Sequence, residues 1–186
     1  MSLVESPLRC SILCLPMCLG IMCHACSDPA VTTASGAFAA TFGDGTTGTC
    51  APMASPGPNL AIGSVNGLSK SLLSDADGVS VTCTVVPSGD GYSVSARISG
   101  NNITFSINTV AVSSQATDSQ SASVVSPSTL NQVWTESSGT PCQATLISGA
   151  PGQAWISFHC DDMTSGNPGD CTLYNGFLAV EGCSGS

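Results

Sequence analysis

The eleven cysteines of this chain part into two groups at Cys26. Five (Cys10, Cys14, Cys18, Cys23 and Cys26) lie in an apolar N-terminal segment. Six (Cys50, Cys83, Cys142, Cys160, Cys171 and Cys183) are spread through a body rich in Ser, Thr and Gly. Six is even and suffices for three disulfides, which persist only in an oxidising compartment. Spread over about 160 residues, they are too sparse to build a miniature scaffold, so they staple a chain long enough to bury its own core. No C-x-x-C pair occurs in the body and the spacings match no zinc module, so we expect no metal centre there. Sequence does not choose among the pairings. The expectation is Cys160–Cys171, which flank the loop from Asp161 to Asp170, with Cys142–Cys183 and Cys50–Cys83 following.

The N-terminal segment reads as a targeting leader. An apolar run from Ile12 to Met22 follows the single basic residue Arg9 and gives way to polar Ser27-Asp28-Pro29. The run has the length of a signal-peptide core and falls short of the roughly 20 residues of a membrane span. Pro16 and Gly20 would further weaken a spanning helix. Ala25-Cys26 resembles the end of a bacterial lipobox, where a small residue precedes the cysteine that is acylated; Cys23 and His24 depart from that pattern. The resemblance implies cleavage before Cys26 and a lipid on its thiol. A plain secretory leader cut near the same place is the alternative. The expected organisation is therefore a signal peptide at 1–25, a lipid anchor and tether at 26–35, and a single domain at 36–186.

Charge removes several classes of partner. The chain carries three basic residues against twelve acidic ones, a net charge of −9. Beyond the leader only Lys70 and Arg97 are basic, too few to neutralise the phosphates of a nucleic acid or to hold an anionic lipid surface. Attachment to a membrane must then come from acylation, and stable anchoring takes more than one chain.

The body alternates with period two. In Val79-Ser80-Val81-Thr82-Cys83-Thr84-Val85, apolar and hydroxyl side chains take turns; Tyr92, Val94, Ala96 and Ile98 do the same, as do Ile103, Phe105 and Ile107. Ser88-Gly89-Asp90-Gly91 and Gly100-Asn101 are the turns between them. This is the pattern of an antiparallel sheet covered on one side. Further strands are expected at Gly36–Phe42, Leu60–Ser64, Cys142–Ile147, Gln153–Cys160 and Cys171–Cys183. Residues 51–59 form a Pro-rich loop, Asn66–Ser74 a helical turn or two, and Ser113–Ser128 a long exposed connection. Many short strands with Gly/Pro turns define an all-β fold, a disulfide-stapled antiparallel β-sandwich, with a β-barrel as the alternative.

No motif specifies a reaction. The body's one histidine, His159, shares a strand face with Trp155 and Ser157, and Asp161 and Asp162 follow. A hydrolase using His159 with Ser157 or an Asp is conceivable, yet neighbours on one strand point in parallel, and no G-x-S-x-G elbow is present. The stronger reading is a solvent-facing histidine beside an Asp-rich turn. Ser74-Asp75-Ala76-Asp77-Gly78 resembles part of a calcium loop, but Leu73 stands where an earlier ligand belongs and no Glu closes it. Asp before Gly is first a turn signal, so Asp75, Asp77, Asp161 and Asp162 read as turns before they read as the ligands of a calcium-stabilised adhesion module. Trp134, Trp155, Tyr92 and Tyr174 would offer a carbohydrate a stacking surface if two or three stood together outside the sheet; core packing is the stronger reading.

Taken together, Ala25-Cys26, the Val79–Ile107 meander, Gly152–Phe158 and Phe177–Cys183 make the chain similar to small exported β-rich lipoproteins of myxobacteria-like bacteria. That resemblance implies an outer-membrane or cell-surface location and lends no activity. The expectation is a binding or structural module with no enzymatic function and no cofactor, whose partner is an envelope protein or a carbohydrate.

Overall fold

The computed structural model describes residues 33–45, 50, 59–113, 120–125, 135–136, 141–164 and 171–185. The leader, Cys26, the tether to residue 32, the Pro-rich loop at 51–58 and Trp134 lie outside the described residues. One compact unit runs from Thr32 to Ser186.

Among the described residues twelve strands follow in order: β1 (Ser35–Asp44), β2 (Asn59–Ile62), β3 (Ser64–Val65), β4 (Lys70–Ser71), β5 (Ser80–Ser88), β6 (Gly91–Gly100), β7 (Ile103–Ser113), β8 (Gln120–Val125), β9 (Thr135–Glu136), β10 (Cys142–Ala150), β11 (Gln153–Thr164) and β12 (Cys171–Glu181). Ten of them form one antiparallel sheet in the order β2-β1-β12-β11-β10-β8-β7-β6-β5, with β9 pairing β11 and β8; β3 and β4 make a separate hairpin. The fold is all-β and β-sandwich-like, and its sheet does not close into a barrel.

The alternation of the meander decides which face is buried. Val85, Val94, Ile98, Phe105 and Ile107 are fully buried, while Ser80, Thr82 and Thr84 between the apolar positions of β5 are exposed. From the other half of the sheet, Phe38 of β1, Ile156 and Phe158 of β11 and Leu178 of β12 enter the same core. Phe105 joins the halves: its ring stacks on Phe38 at 4.7 Å and on Phe158 at 5.4 Å between centroids. Each fully buried side chain of this size contributes about 1.5–3 kcal/mol.

The strand between the two halves falls where a long exposed connection was expected. β8 pairs through Gln120–Ala122 with β10 and through Ser123–Val125 with β7. One short strand thus passes from one half-sheet to the other and makes the corner at which the sheet folds over. Its Ser content hid it, because ladder bonds come from the backbone and ask nothing of the side chain.

Two local expectations are also corrected. The helical turns over Asn66–Ser74 do not form. The Asn66 carboxamide accepts from the backbone N–H of Leu68 and Ser69 at 2.7 and 2.9 Å, turning the chain between β3 and β4. Asn side chains compete with helical backbone bonding in this way. The β6–β7 turn is Asn101-Asn102, one residue later than Gly100-Asn101. Both asparagines hold positive φ, 51° and 61°, the left-handed conformation a two-residue hairpin loop demands.

All six body cysteines are paired, but not as expected: the bonds are Cys50–Cys171, Cys83–Cys183 and Cys142–Cys160. Register explains the difference. Gln143 lies opposite His159, which brings the preceding Cys142 beside the following Cys160, with Cα atoms 4.2 Å apart. An irregularity between Phe158 and Cys160 sets Cys160 opposite Leu173, and β11 runs on past Cys160 through a second irregularity, so that Cys171 faces Met163 and, on its other side, Asp44. Cys160 and Cys171 are therefore out of register, and Cys171 takes Cys50, which follows Asp44 in the chain. Cys183 reaches β5 instead of β10.

Candidate functional site

The outer face of β1, β12, β11 and β10 carries the residues singled out by chemistry, and its two ends are built differently. At one end the β3–β4 hairpin lies over the sheet. Ala37, Val65 and Ala179 are buried there, packed with Ala39, Leu72, Trp155 and Phe177 in a small second core. Trp155 is half-buried in this cluster: its indole N–H donates to the Asn66 carbonyl at 3.1 Å, and the Lys70 ammonium sits 5.6 Å from the ring centroid. Lys70 also pairs with Glu181 at 2.5 Å. Trp155 thus packs as a roof support, in line with the packing reading, although it lies on the outer face with Ser157 and His159.

Past the hairpin the face is open. A half-open cleft of about 160 Å³ is lined by Gln143 and Thr145 of β10, Ser157 and His159 of β11, and Tyr174, Asn175 and Phe177 of β12. Cross-strand register creates the grouping: Gln143 faces His159, and Ser157 stands between Thr145 and Phe177. Trp155, Ser157 and His159 share the outer face while Ile156, Phe158 and Cys160 are buried, as period two requires.

Tyr174 reaches this face by an irregularity. Thr41 pairs with Asn175 but Phe42 with Leu173, so Tyr174 is an inserted residue, and Tyr174 and Asn175 are both exposed although they are neighbours. A bulge re-aims side chains in this way. The Tyr174 hydroxyl donates to the Asp44 carbonyl at 3.1 Å, and its ring lies so close to Gly43 that any Cβ there would overlap it. The ring is held against backbone on one side, and the side chain remains 54% exposed.

Of the aromatics weighed as a stacking surface, Tyr174 alone among the described residues is exposed on the face; Trp134 lies outside them. Trp155 is half-buried, and Tyr92 is partly buried against the main core and packs over Gly149. The bulge that exposes Tyr174 leaves no mark in the alternation, so sequence gave no reason to prefer it.

None of the four carboxylates weighed as calcium ligands lines the cleft. Asp77 accepts from the Ser74 backbone N–H at 2.9 Å and from its hydroxyl at 3.2 Å, closing the short 3-10 turn Asp75–Asp77, whose end is Gly78 at φ 75°. That oxygen is already committed inside the loop. Asp161 and Asp162 sit at the irregular end of β11, and one Asp162 oxygen is buried without a hydrogen-bond partner among the described residues. Among the described residues no three His, Cys, Asp or Glu side chains group as a metal site. No described helix is long and apolar enough to cross a membrane.

The three disulfides mark an oxidising environment, extracellular or periplasmic. No protein-family model, curated protein or solved structure matches the chain.

Proposed function

We propose that the chain is an exported lipoprotein of the bacterial envelope, at the outer membrane or cell surface, held by acylated Cys26 and acting by binding. The observation that carries this reading is the cysteine count. All six body cysteines are consumed by disulfides, so every thiol left over lies within residues 1–26, where Ala25-Cys26 has the form of an acylation site. The first described strand opens at Ser35, and the residues from Cys26 to Ser35 can span at most about 30 Å, which would keep the domain close to the bilayer.

Binding is favoured over catalysis by the cleft's geometry. Ser157 and His159 point the same way from alternate positions of one strand, and no hydrogen bond joins them among the described contacts. A nucleophile and its base must lie within hydrogen-bond reach or be brought there by substrate. The test of anchoring is metabolic labelling with an alkyne fatty acid. The wild-type protein should label and sediment with membranes, and Cys26→Ala should do neither. Labelling that survives Cys26→Ala would refute the anchor. A hydrolase reading keeps one observation, that Ser157 and His159 both line an open cleft. It requires His159→Ala to abolish a measurable esterase or glycosidase activity.

A further inference from the structure

We propose that the cleft beside Tyr174 binds a neutral, hydroxyl-rich glycan, one sugar ring stacking on the tyrosine while the side chains around it bond the hydroxyls. This names a ligand class for the binding module proposed above, and it rests on that reading.

The lining selects the chemistry by exclusion. The chain has a net charge of −9, yet among the described residues no Asp, Glu, Lys or Arg lines the cleft. A phosphate or sulfate would lack a cation, and a metal ion or cationic peptide would lack a carboxylate. An apolar peptide would desolvate amides and hydroxyls without bonding them, which is costly. A polyol presents donors and acceptors together and wants both in return. Gln143 and Asn175 supply an N–H and a C=O each, Thr145 and Ser157 a hydroxyl each, and His159 a donor and an acceptor when neutral.

The aromatic supplies the other half of the recognition. Sugar rings carry a polar rim and an apolar C–H face, and an amphipathic ring with a free face matches both. Tyr174 is fixed for this task before any ligand arrives: Gly43 backs the ring and the Asp44 carbonyl holds the hydroxyl. A side chain already ordered loses little entropy on binding. The volume, about 160 Å³, is well below the roughly 300 Å³ at which pockets enclose drug-sized ligands. It suits a single ring of a longer chain that continues across the sheet.

The experiment titrates the purified full chain, disulfides intact, with hexasaccharides of glucose, xylose, mannose and N-acetylglucosamine to millimolar concentration by calorimetry. The expected result is saturable binding of at least one, insensitive to added salt. Tyr174→Ala should weaken it by about tenfold or more, while Tyr174→Phe, which keeps the ring, should hold it within about threefold. Asn175→Ala supplies an independent loss should Tyr174→Ala lower the melting temperature. No binding of any hexasaccharide would overturn the proposal, as would affinity untouched by Tyr174→Ala and Asn175→Ala. Binding confined to acidic glycans and abolished by salt would overturn it too, since that marks an electrostatic site. Any of these failures leaves the anchored-envelope reading standing, because fatty-acid labelling of Cys26 reports on that separately.

Discussion

Cys83 on the last strand of the sheet path is bonded to Cys183, just past the end of β12, across 100 residues of sequence. The bond does not act alone. Ser184 N–H donates to the Cys83 carbonyl at 3.1 Å, Val85 N–H donates to Ser184 at 3.0 Å, and the Val85 carbonyl accepts from Gly152 at 3.3 Å. The free edge of β5 is thereby covered by the chain's own tail and by the β10–β11 turn. Exposed strand edges invite pairing with other chains, and this one is covered.

Removing that clamp should be costly. We expect Cys83→Ser with Cys183→Ser to lose about 3–5 kcal/mol in chemical denaturation, a fall of about 10 °C in Tm. Amide exchange at Val85 and Ser184 should accelerate before that at Phe105. A loss under about 1 kcal/mol would show that the backbone bonds hold the edge without the sulfurs.

Gly176 lies opposite Phe158 in the β11–β12 register, and a Cβ at that position would overlap the phenyl ring. Gly176→Ala should therefore destabilise by about 1–3 kcal/mol through overpacking. Phe158→Leu in the same chain should recover part of the loss, giving a non-additive double-mutant cycle. Additive losses would mean that the two positions do not meet.

The Asn101-Asn102 loop predicts a gain. Both residues hold left-handed backbone, which asparagine tolerates and glycine adopts without strain. Asn102→Gly should raise stability by about 0.5–1 kcal/mol, measurable as a rise of a few degrees in Tm. The same change at Asn108, inside β7, should lower it.

Calcium is expected to leave the fold as it is. Because Asp77 closes its own loop through Ser74, Tm in millimolar calcium should match Tm in chelator. Asp77→Ala should cost about 1 kcal/mol by opening the turn, with or without the ion. A calcium-dependent rise in Tm that Asp77→Ala abolishes would contradict this.

What the sequence disclosed follows from where the information lies. Val79–Ile107 was legible because one buried face writes itself as period two. Ser157 and His159 were placed on the outer face for the same reason. β8 was illegible because a strand built on serine shows no such contrast, and Asn66 because its carboxamide acts on backbone two and three residues on. The disulfide partners depend on register, which irregularities on both sides of Cys160 shift; no local pattern records them. Tyr174 shares that cause, since alternation alone would send Tyr174 and Asn175 to opposite faces.

The central claim joins a disulfide-closed domain to an acylated Cys26, and the intact mass of protein from its native membrane fraction, before and after reduction and alkylation, tests it most directly. The account predicts a chain beginning at Cys26, carrying added acyl mass, with six thiols that react only after reduction. A mass that retains residues 1–25, or body thiols that alkylate without reductant, would contradict it.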